Sequence, residues 1–265
     1  MTQQISGTRE WAVASLNIHL GCSHRCRYCY ARAQSERRKL CEPGQWGTDD
    51  YNRLKKRPFT GFDRKYDGTV MFPTTHDLHP DFLPEILEGI RRLLAADNTI
   101  LLVSKPHLSV IKAICEEFHS VQTDQIKFRF TIGAMNDEIL SYWEPGAPTY
   151  AERLASLKHA YDEGFYTSVS CEPMLDSPHV HILFYNLEPF VSADGVIWIG
   201  KMNEVRKRVD PNTSEEEIAR IEAGQTDERI WEIYKCLKDN PKVRWKESIK
   251  KVVGLPLATE AGTDE

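Results

Sequence analysis

Three cysteines within ten residues constrain this chain more than any other feature of its sequence. Residues 21–30 read GCSHRCRYCY, which places Cys22, Cys26 and Cys29 four and three residues apart. Iron–sulfur clusters are held by cysteine thiolates, usually four for each cluster. A set of three therefore leaves one position for an exchangeable ligand, which suits a metal centre that must also hold a reacting molecule.

Two other kinds of site fit the same spacing. A tetrahedral zinc site needs three cysteines and one histidine, and His19 or His24 is close enough in sequence to complete it. Cys26 and Cys29 also form a Cys-x-x-Cys pair, which in a reducing compartment can act as a redox couple. The spacing alone leaves these alternatives open.

Length and composition indicate one α/β domain in a reducing compartment. The chain has 265 residues, a net charge of -5 and seven cysteines, an odd number that does not favour a disulfide framework. It has no apolar run of membrane-spanning length, and its polar first residues do not resemble a signal peptide. We therefore expect a cytoplasmic protein with no membrane partner. Cys41, Cys115, Cys171 and Cys236 are scattered, so we expect no second cluster.

Positive charge is concentrated near the cysteines. Residues 25–65 contain twelve Lys and Arg against five Asp and Glu, and aromatic residues are interleaved with them: Trp46, Tyr51, Phe59, Phe62 and Tyr66. Cations and stacking faces in one segment are what a nucleic acid or a phosphorylated substrate would use. A solvated helix face followed by a mobile loop explains the pattern equally well.

Short apolar runs alternate with helical patterns along most of the chain. We predict strands at residues 11–19, 69–73, 99–103, 126–132, 166–171 and 195–199. We predict helices at residues 25–40, 81–96, 106–118, 150–163, 180–190, 214–223 and 227–238, and a basic amphipathic end piece at 245–253. This alternation predicts a parallel sheet with right-handed crossovers. The cysteine loop would then follow the first strand, at the sheet edge where parallel barrels place their chemistry.

The cysteine motif, with Tyr28 just before the last cysteine, resembles that of the radical S-adenosylmethionine (radical SAM) superfamily. Later motifs resemble its spore photoproduct lyase-like group over roughly residues 12–200: TTHD at 74–77, Lys105, EPGAP at 144–148 followed by Arg153, and Gly164. The resemblance implies an α/β fold, a partial (β/α)6 TIM-like barrel. Residues 1–205 would form this core, including an insertion at about 41–68. Residues 206–265 would form a helical C-terminal extension packed on it.

The resemblance also implies a specific chemistry. Cys22, Cys26 and Cys29 would hold a [4Fe-4S] cluster whose fourth iron is chelated by S-adenosylmethionine. Reductive cleavage of that molecule would yield a 5'-deoxyadenosyl radical that abstracts hydrogen from an organic substrate. A reductant such as flavodoxin or ferredoxin would supply the electron. The substrate would be a nucleobase or nucleotide in DNA or RNA, or alternatively a peptide or small molecule.

Further residues are assigned to S-adenosylmethionine by the same resemblance. Lys105 is the first choice and Arg153 the second for gripping the methionyl carboxylate. The segment at the end of the second strand departs from the glycine-rich, acid-ended motif usual in the superfamily, so Thr74, Thr75 and His76 stand where the methionyl amino group is bound. Asp77 is equally suited to cap the following helix. Thr131 would reach the ribose and Tyr28 the adenine. The ordinary alternatives are a surface charge for Arg153, strand packing for Thr131 and a core aromatic for Tyr28.

Two residues are candidates on the substrate side. Glu172 and Lys201 follow the fifth and sixth strands, where side chains face a barrel mouth. Helix capping or ion pairing would explain them as well. Photoproduct lyases also use a hydrogen-donating cysteine outside the cluster, and neither Cys41 nor Cys171 aligns with it, so repair activity is not inferred. A zinc-binding or nucleic-acid-binding module without catalysis is the alternative from another class.

Overall fold

A computed structural model describes residue 5 and residues 7–49, 59–119 and 124–263. Within these ranges one parallel sheet runs in simple sequence order, β1 to β7, with each strand hydrogen-bonded to the next. The strands are β1 Ala14–Ser15, β2 Val70–Phe72, β3 Ile100–Ser104, β4 Ile126–Thr131, β5 Tyr166–Cys171, β6 Ile197–Ile199 and β7 Val243–Trp245. The first and last strands do not pair, so the sheet is an open barrel and the expected fold class is confirmed.

Helices cover the outer face of this sheet. The described α-helices are α1 Tyr30–Arg37, α2 Leu83–Ala95, α3 Leu108–Phe118, α4 Asp137–Trp143, α5 Tyr150–Asp162, α6 Val180–Leu187, α7 Val205–Arg208, α8 Glu215–Ala223, α9 Asp227–Leu237 and α10 Glu247–Val253. In α2 the apolar side chains recur at helical spacing, and Ile86, Ile90 and Leu93 are fully buried against the sheet. No described helix combines the length and apolarity needed to cross a membrane.

Local signals explain several helix ends. The side chain of Thr149 accepts a hydrogen bond from the backbone N–H of Glu152 at 3.3 Å and so caps α5. Gly164 follows that helix with φ +78, the left-handed conformation that favours glycine, which confirms it as the helix stop. Ser214 and Thr226 cap α8 and α9 in the same way as Thr149.

The sequence did not predict the seventh strand. Residues 243–245 pair parallel with β6, and the amphipathic end piece expected at 245–253 therefore divides into the end of β7 and helix α10. The predicted C-terminal extension thus supplies a strand as well as helices. Residues 243–245 are too few to show a strand periodicity, since alternation needs about four residues or more to be read.

The first strand is much shorter than predicted. Only Ala14 and Ser15 pair with β2, whereas residues 11–19 were expected to form the strand. Trp11 instead packs against Trp198 of β6, with ring centroids 5.8 Å apart.

Helix α1 is also shorter than the predicted 25–40, because residues 25–29 belong to the cysteine loop. Helices α4 and α7 were not predicted.

The described ends of the predicted insertion at 41–68 pack on the barrel, and residues 50–58 lie outside the described residues. Trp46 is buried beside Ala31 and Cys41, against the outer side of the cysteine loop. A Cβ on Gly47 would lie 2.3 Å from the carbonyl oxygen of Cys22. Phe62 is fully buried in the main core. The first end therefore covers the cysteine loop, and the second is part of the main core.

Candidate active site

The cysteine loop lies between β1 and α1, at the carboxyl end of the sheet. Two turns shape it, with the N–H of Arg25 donating to the carbonyl of Cys22 at 3.2 Å and that of Cys29 to Cys26 at 3.1 Å. The sulfur of Cys29 also caps α1 by accepting from the N–H of Arg32 at 3.4 Å. All three cysteines are free thiols.

One cleft brings the three thiols together with most of the residues assigned to S-adenosylmethionine. Its inner compartment is lined by Cys22, Cys26, Tyr28, Cys29, Tyr30, Ala31, Thr74, Thr75, His76, Asp77 and Lys105. The strands that end there are β1, β2 and β3, which are adjacent in the sheet. The predicted convergence of these side chains is therefore present.

The donor set fits an iron–sulfur cluster. Burial raises the pKa of all three thiols, that of Cys22 to about 12, so thiolates form there only beside added positive charge. The hydroxyl of Thr75 is buried in the same compartment and makes no hydrogen bond within the described residues. Three thiols beside an unpartnered polar group suit a cluster that also binds a polar organic ligand.

Lys105 supplies the positive charge of the inner compartment. Its Nζ lies 5.7 Å from the centroid of the Tyr28 ring. Burial acts to lower the pKa of this ammonium, but the Cys26 sulfur and the carboxylates of Glu144 and Asp77 more than offset it and hold the pKa above its usual value. Lys105 is therefore charged and faces the thiols, as its predicted role requires.

Arg153 differs from its predicted role. Its side chain is completely buried and lies 2.6 Å from the equally buried carboxylate of Glu144. It also donates to the carbonyl oxygens of Pro148 at 2.8 Å and Thr131 at 3.3 Å. With these contacts Arg153 holds protein groups and does not line the cleft, so its second-choice assignment to the methionyl carboxylate is not supported by its position.

Glu144 connects Arg153 to the cysteine loop. The hydroxyl of Tyr28 donates to the second oxygen of this carboxylate. Burial acts to raise the pKa of Glu144, but Arg153, Lys105 and the Tyr28 hydrogen bond together lower it. The ionised Glu144 thus fixes the one aromatic ring that stands between Cys26 and Cys29.

Backbone contacts reinforce this connection. The N–H of Arg27 donates to the carbonyl of Trp143 at 2.8 Å, and the N–H of Gly146 donates to that of His24 at 3.0 Å. A Cβ on Gly146 would lie 2.2 Å from the carbonyl oxygen of Ser23, so only glycine permits this approach. The EPGAP segment is therefore a support for the cysteine loop.

A polar residue that sequence reasoning missed organises the threonines. The side-chain oxygen of Asn17 accepts from the N–H groups of Thr74 and Thr75 at 2.9 and 2.7 Å, and its amide donates to the hydroxyl of Thr74 at 2.8 Å. The hydroxyl of Tyr30 donates to the carbonyl of Thr74 at 2.7 Å. The Thr74 groups are thus engaged with protein atoms, whereas the Thr75 hydroxyl faces the compartment. The only signal was a polar residue near the end of β1.

Asp77 anchors the end of β3 and does not cap the following helix. Its carboxylate accepts from the N–H groups of Leu78 at 2.8 Å and Lys105 at 3.0 Å. It also lies 3.2 Å from Nδ1 of His24. Burial acts to raise the pKa of Asp77, but His24 and the other partners lower it far below its usual value.

The histidines proposed for a zinc site have other contacts. His24 is held by Asp77 and by His107, whose Nε2 lies 3.0 Å from its own Nε2. His19 stacks on His76 at 3.7 Å between ring centroids, and burial lowers its pKa to about 4. Within residues 5, 7–49, 59–119 and 124–263, no group of three His, Cys, Asp or Glu side chains is set to hold a single metal ion.

Two predicted residues belong less closely to the inner compartment. His76 lines it, but its Nε2 accepts from the N–H of Ile18 at 3.2 Å, which ties it to the segment that follows β1. Thr131 is buried at the end of β4, where its carbonyl accepts from Arg153, and it does not line the inner compartment.

The cleft continues into an outer compartment that contains both substrate-side candidates. It shares Tyr28, Cys29 and Tyr30 with the inner compartment and is otherwise lined by Glu172, Pro173, Lys201, Met202, Asn203 and Arg208. A ligand in the outer compartment would therefore lie beside one bound near the thiols.

Comparison with known proteins supports the fold. No family model matches the chain. An uncharacterized protein, ORF301 of Acidianus two-tailed virus, is 26% identical over 176 residues, which cover 62% of this chain. The match extends over only 56% of the length of that viral protein.

Solved structures align over most of the chain. A spore photoproduct lyase variant aligns with a TM-score of 0.56 at 15% identity, over 92% of this chain and 78% of that one. A second variant, with bound AdoMet and a dinucleoside spore photoproduct, aligns at 0.53 and 15% identity over 87% and 75%. SuiB of Streptococcus suis bound to S-adenosylmethionine aligns at 0.52 and 8% identity, over 94% of this chain and 54% of its own. The chain therefore has the open α/β barrel fold of these radical SAM enzymes, with its three cysteines at the carboxyl end of the sheet.

Proposed function

We propose that this protein is a radical SAM enzyme. The observation that carries the proposal is the inner compartment, where Cys22, Cys26 and Cys29 meet the charged Lys105 and the ring of Tyr28. The fold shared with enzymes whose structures contain S-adenosylmethionine supports it.

Five residues of the inner compartment have distinct tasks in this proposal. The three cysteines hold a [4Fe-4S] cluster, and Lys105 pairs with the methionyl carboxylate of S-adenosylmethionine. The Thr75 hydroxyl, which has no partner among the described residues, accepts from the methionyl amino group. The cluster would supply the electron that cleaves S-adenosylmethionine to a 5'-deoxyadenosyl radical, which abstracts hydrogen from the substrate.

The surrounding protein fixes the cysteine loop. The outer side of the cysteine loop packs against Trp46, Cys41 and Ala31. Gly47 approaches this loop so closely that a Cβ there would lie 2.3 Å from the carbonyl oxygen of Cys22. A carbon radical reacts with whatever it touches, so exclusion of water and a rigid loop both serve the chemistry. Glu144 and Arg153 act as positioning residues, because they hold the Tyr28 hydroxyl.

We propose that the substrate contains a nucleobase or nucleotide of DNA or RNA. The shared fold with a lyase whose structure contains a dinucleoside photoproduct supports this choice, as does the basic, aromatic segment at residues 25–65. A peptide or small molecule is the alternative. The electron donor would be a small reductant such as flavodoxin or ferredoxin, in a compartment that keeps seven free cysteines reduced.

The test is S-adenosylmethionine cleavage by anaerobically reconstituted protein reduced with dithionite. We expect 5'-deoxyadenosine from the wild type and none from Cys26→Ala. Cys236→Ala is the matched control, since that cysteine is exposed on α9, and we expect wild-type product from it.

A different pattern would overturn the proposal. Product formation that survives Cys26→Ala would show that the cysteine loop is not the reactive centre. A wild type that binds iron through all three cysteines but never cleaves S-adenosylmethionine would point to a non-catalytic metal-binding module.

A further inference from the structure

The charges of the outer compartment show what kind of substrate it accepts. Three of its side chains carry charge: Glu172, Lys201 and Arg208. Whether each has a protein partner decides which charge remains available to a ligand.

Glu172 already has a partner. Its carboxylate lies 3.4 Å from Nζ of Lys246, which is almost completely buried and also lies 3.0 Å from Glu10. Lys246 follows β7, so the strand that sequence analysis missed brings this ammonium to the barrel interior.

The close approach of Glu172 and Lys246 depends on a glycine. A Cβ on Gly200, at the end of β6, would lie 2.8 Å from Cγ of Lys246 and 3.0 Å from Cγ of Glu172. Contacts below 3.0 Å require a shift of the neighbouring atoms. Gly200 therefore provides the space in which Glu172 is held toward Lys246.

Arg208 also has a partner, because its guanidinium lies 2.7 Å from the carboxylate of Glu204. Lys201 differs from both. It is half-buried in the cleft wall, and within the described part of the chain its ammonium forms no ion pair. Of the two cations that line the outer compartment, only Lys201 therefore has no carboxylate partner within the described residues.

We propose that the outer compartment binds the substrate through an anionic group, a carboxylate or a phosphate, which pairs with Lys201. This inference rests on the proposed function and specifies its substrate class. A half-buried ammonium is screened less than an exposed one, and a charge-assisted hydrogen bond to it is about twice as strong as a neutral one. Asn203, in the same wall, supplies an amide that can donate a second hydrogen bond.

The test is equilibrium dialysis of the reconstituted protein, saturated with S-adenosylmethionine, against three probes that share one scaffold. These are thymidine, thymidine 5'-monophosphate and thymidine 5'-carboxylate. We expect both anions to bind more tightly than thymidine, and their ratio identifies phosphate or carboxylate as the preferred group. Lys201→Met should weaken the preferred anion about ten-fold and leave thymidine unchanged.

Matched variants distinguish the effect of the Lys201 charge on anion binding from the effect of its side-chain shape. Lys201→Arg keeps the charge and should keep most of the anion preference, whereas Lys201→Gln should lose it as Lys201→Met does. Lys207→Met removes the same charge from an exposed side chain paired with Glu204 at 3.6 Å, and we expect wild-type binding from it. Thermal melting of each variant checks that it is folded.

Three outcomes would overturn the proposal: equal binding of all three probes by the wild type, an equal loss for thymidine in Lys201→Met, or weaker binding of S-adenosylmethionine in place of the anion. The same samples are assayed for 5'-deoxyadenosine. Its absence throughout would count against radical chemistry, whereas the anion preference is decided by dialysis alone.

Discussion

Two ion pairs lie beside the cleft, and they differ in how completely their charges are matched. Glu144 and Arg153 form a closed pair, with both side chains fully buried. Lys246 instead serves two carboxylates, and the side chain of one of them, Glu172, remains 21% exposed. The closed pair contacts the cysteine loop through Tyr28, whereas Glu172 lines the outer compartment.

The two ion pairs differ in what they leave available to a ligand. The opposite charges of Glu144 and Arg153 offset each other inside the protein, and removing one of them leaves the other with a large desolvation cost. A carboxylate that shares its cation and stays partly exposed can still respond to a ligand. The pair beside the thiols is therefore suited to positioning, and the one beside Lys201 to charge selection.

The largest predicted effect comes from breaking the closed pair. Arg153→Met leaves the Glu144 carboxylate buried without its cation, which we expect to cost about 3–5 kcal/mol of unfolding free energy. Arg91→Met is the control, because Arg91 pairs with Glu88 and Glu117 on the surface and its side chain is 49% exposed. We expect it to cost about 1 kcal/mol or less by urea denaturation.

The pH dependence sharpens this result. The pKa of Glu144 is lower in the folded protein than in the unfolded chain. Its pairing with Arg153 therefore stabilises the fold above the unfolded pKa of about 4.3, and this contribution is lost as the pH falls through the folded pKa. The difference between wild type and Arg153→Met should therefore shrink below about pH 4. An equal cost for Arg153→Met and Arg91→Met, or a difference independent of pH, would contradict the closed pair.

A smaller effect is expected on the other side of the cleft. Gly200→Ala inserts a Cβ between Lys246 and Glu172, and overpacking of this kind costs about 1–3 kcal/mol. Lys246→Ala removes the Cγ that lies 2.8 Å from the new methyl group but keeps the Cβ at 2.9 Å, so the two changes should be partly non-additive in a double-mutant cycle. Strict additivity of their unfolding free energies would show that Gly200 does not make room for this contact.

The sequence predicted the parts of the fold and site that depend on local pattern. The cysteine spacing identified three residues that line one compartment, and the helical apolar spacing of residues such as Ile86 and Ile90 identified α2. Polar residues placed after successive strands converged because the carboxyl ends of parallel strands share one edge. The cleft is lined by Lys105, Glu172 and Lys201, as their positions after successive strands predict.

The sequence did not predict contacts in which the folded structure, and not a local pattern, decides the partner of a residue. Arg153 carries the charge that a methionyl carboxylate requires, but burial pairs it with Glu144. Asn17 and Lys246 act on groups 57 and 74 residues away, and no local pattern reports such contacts. Strand β7 was missed because its three residues gain their structure from pairing with β6.

Electron paramagnetic resonance of the reduced, reconstituted protein, with and without S-adenosylmethionine, tests most directly whether the three cysteines hold a cluster that binds this molecule. Three cysteines leave one iron for an exchangeable ligand, so we predict a [4Fe-4S] signal that changes when S-adenosylmethionine binds. A cluster signal that is identical in both samples would contradict the account, because it would mean that the fourth iron is not open to that ligand.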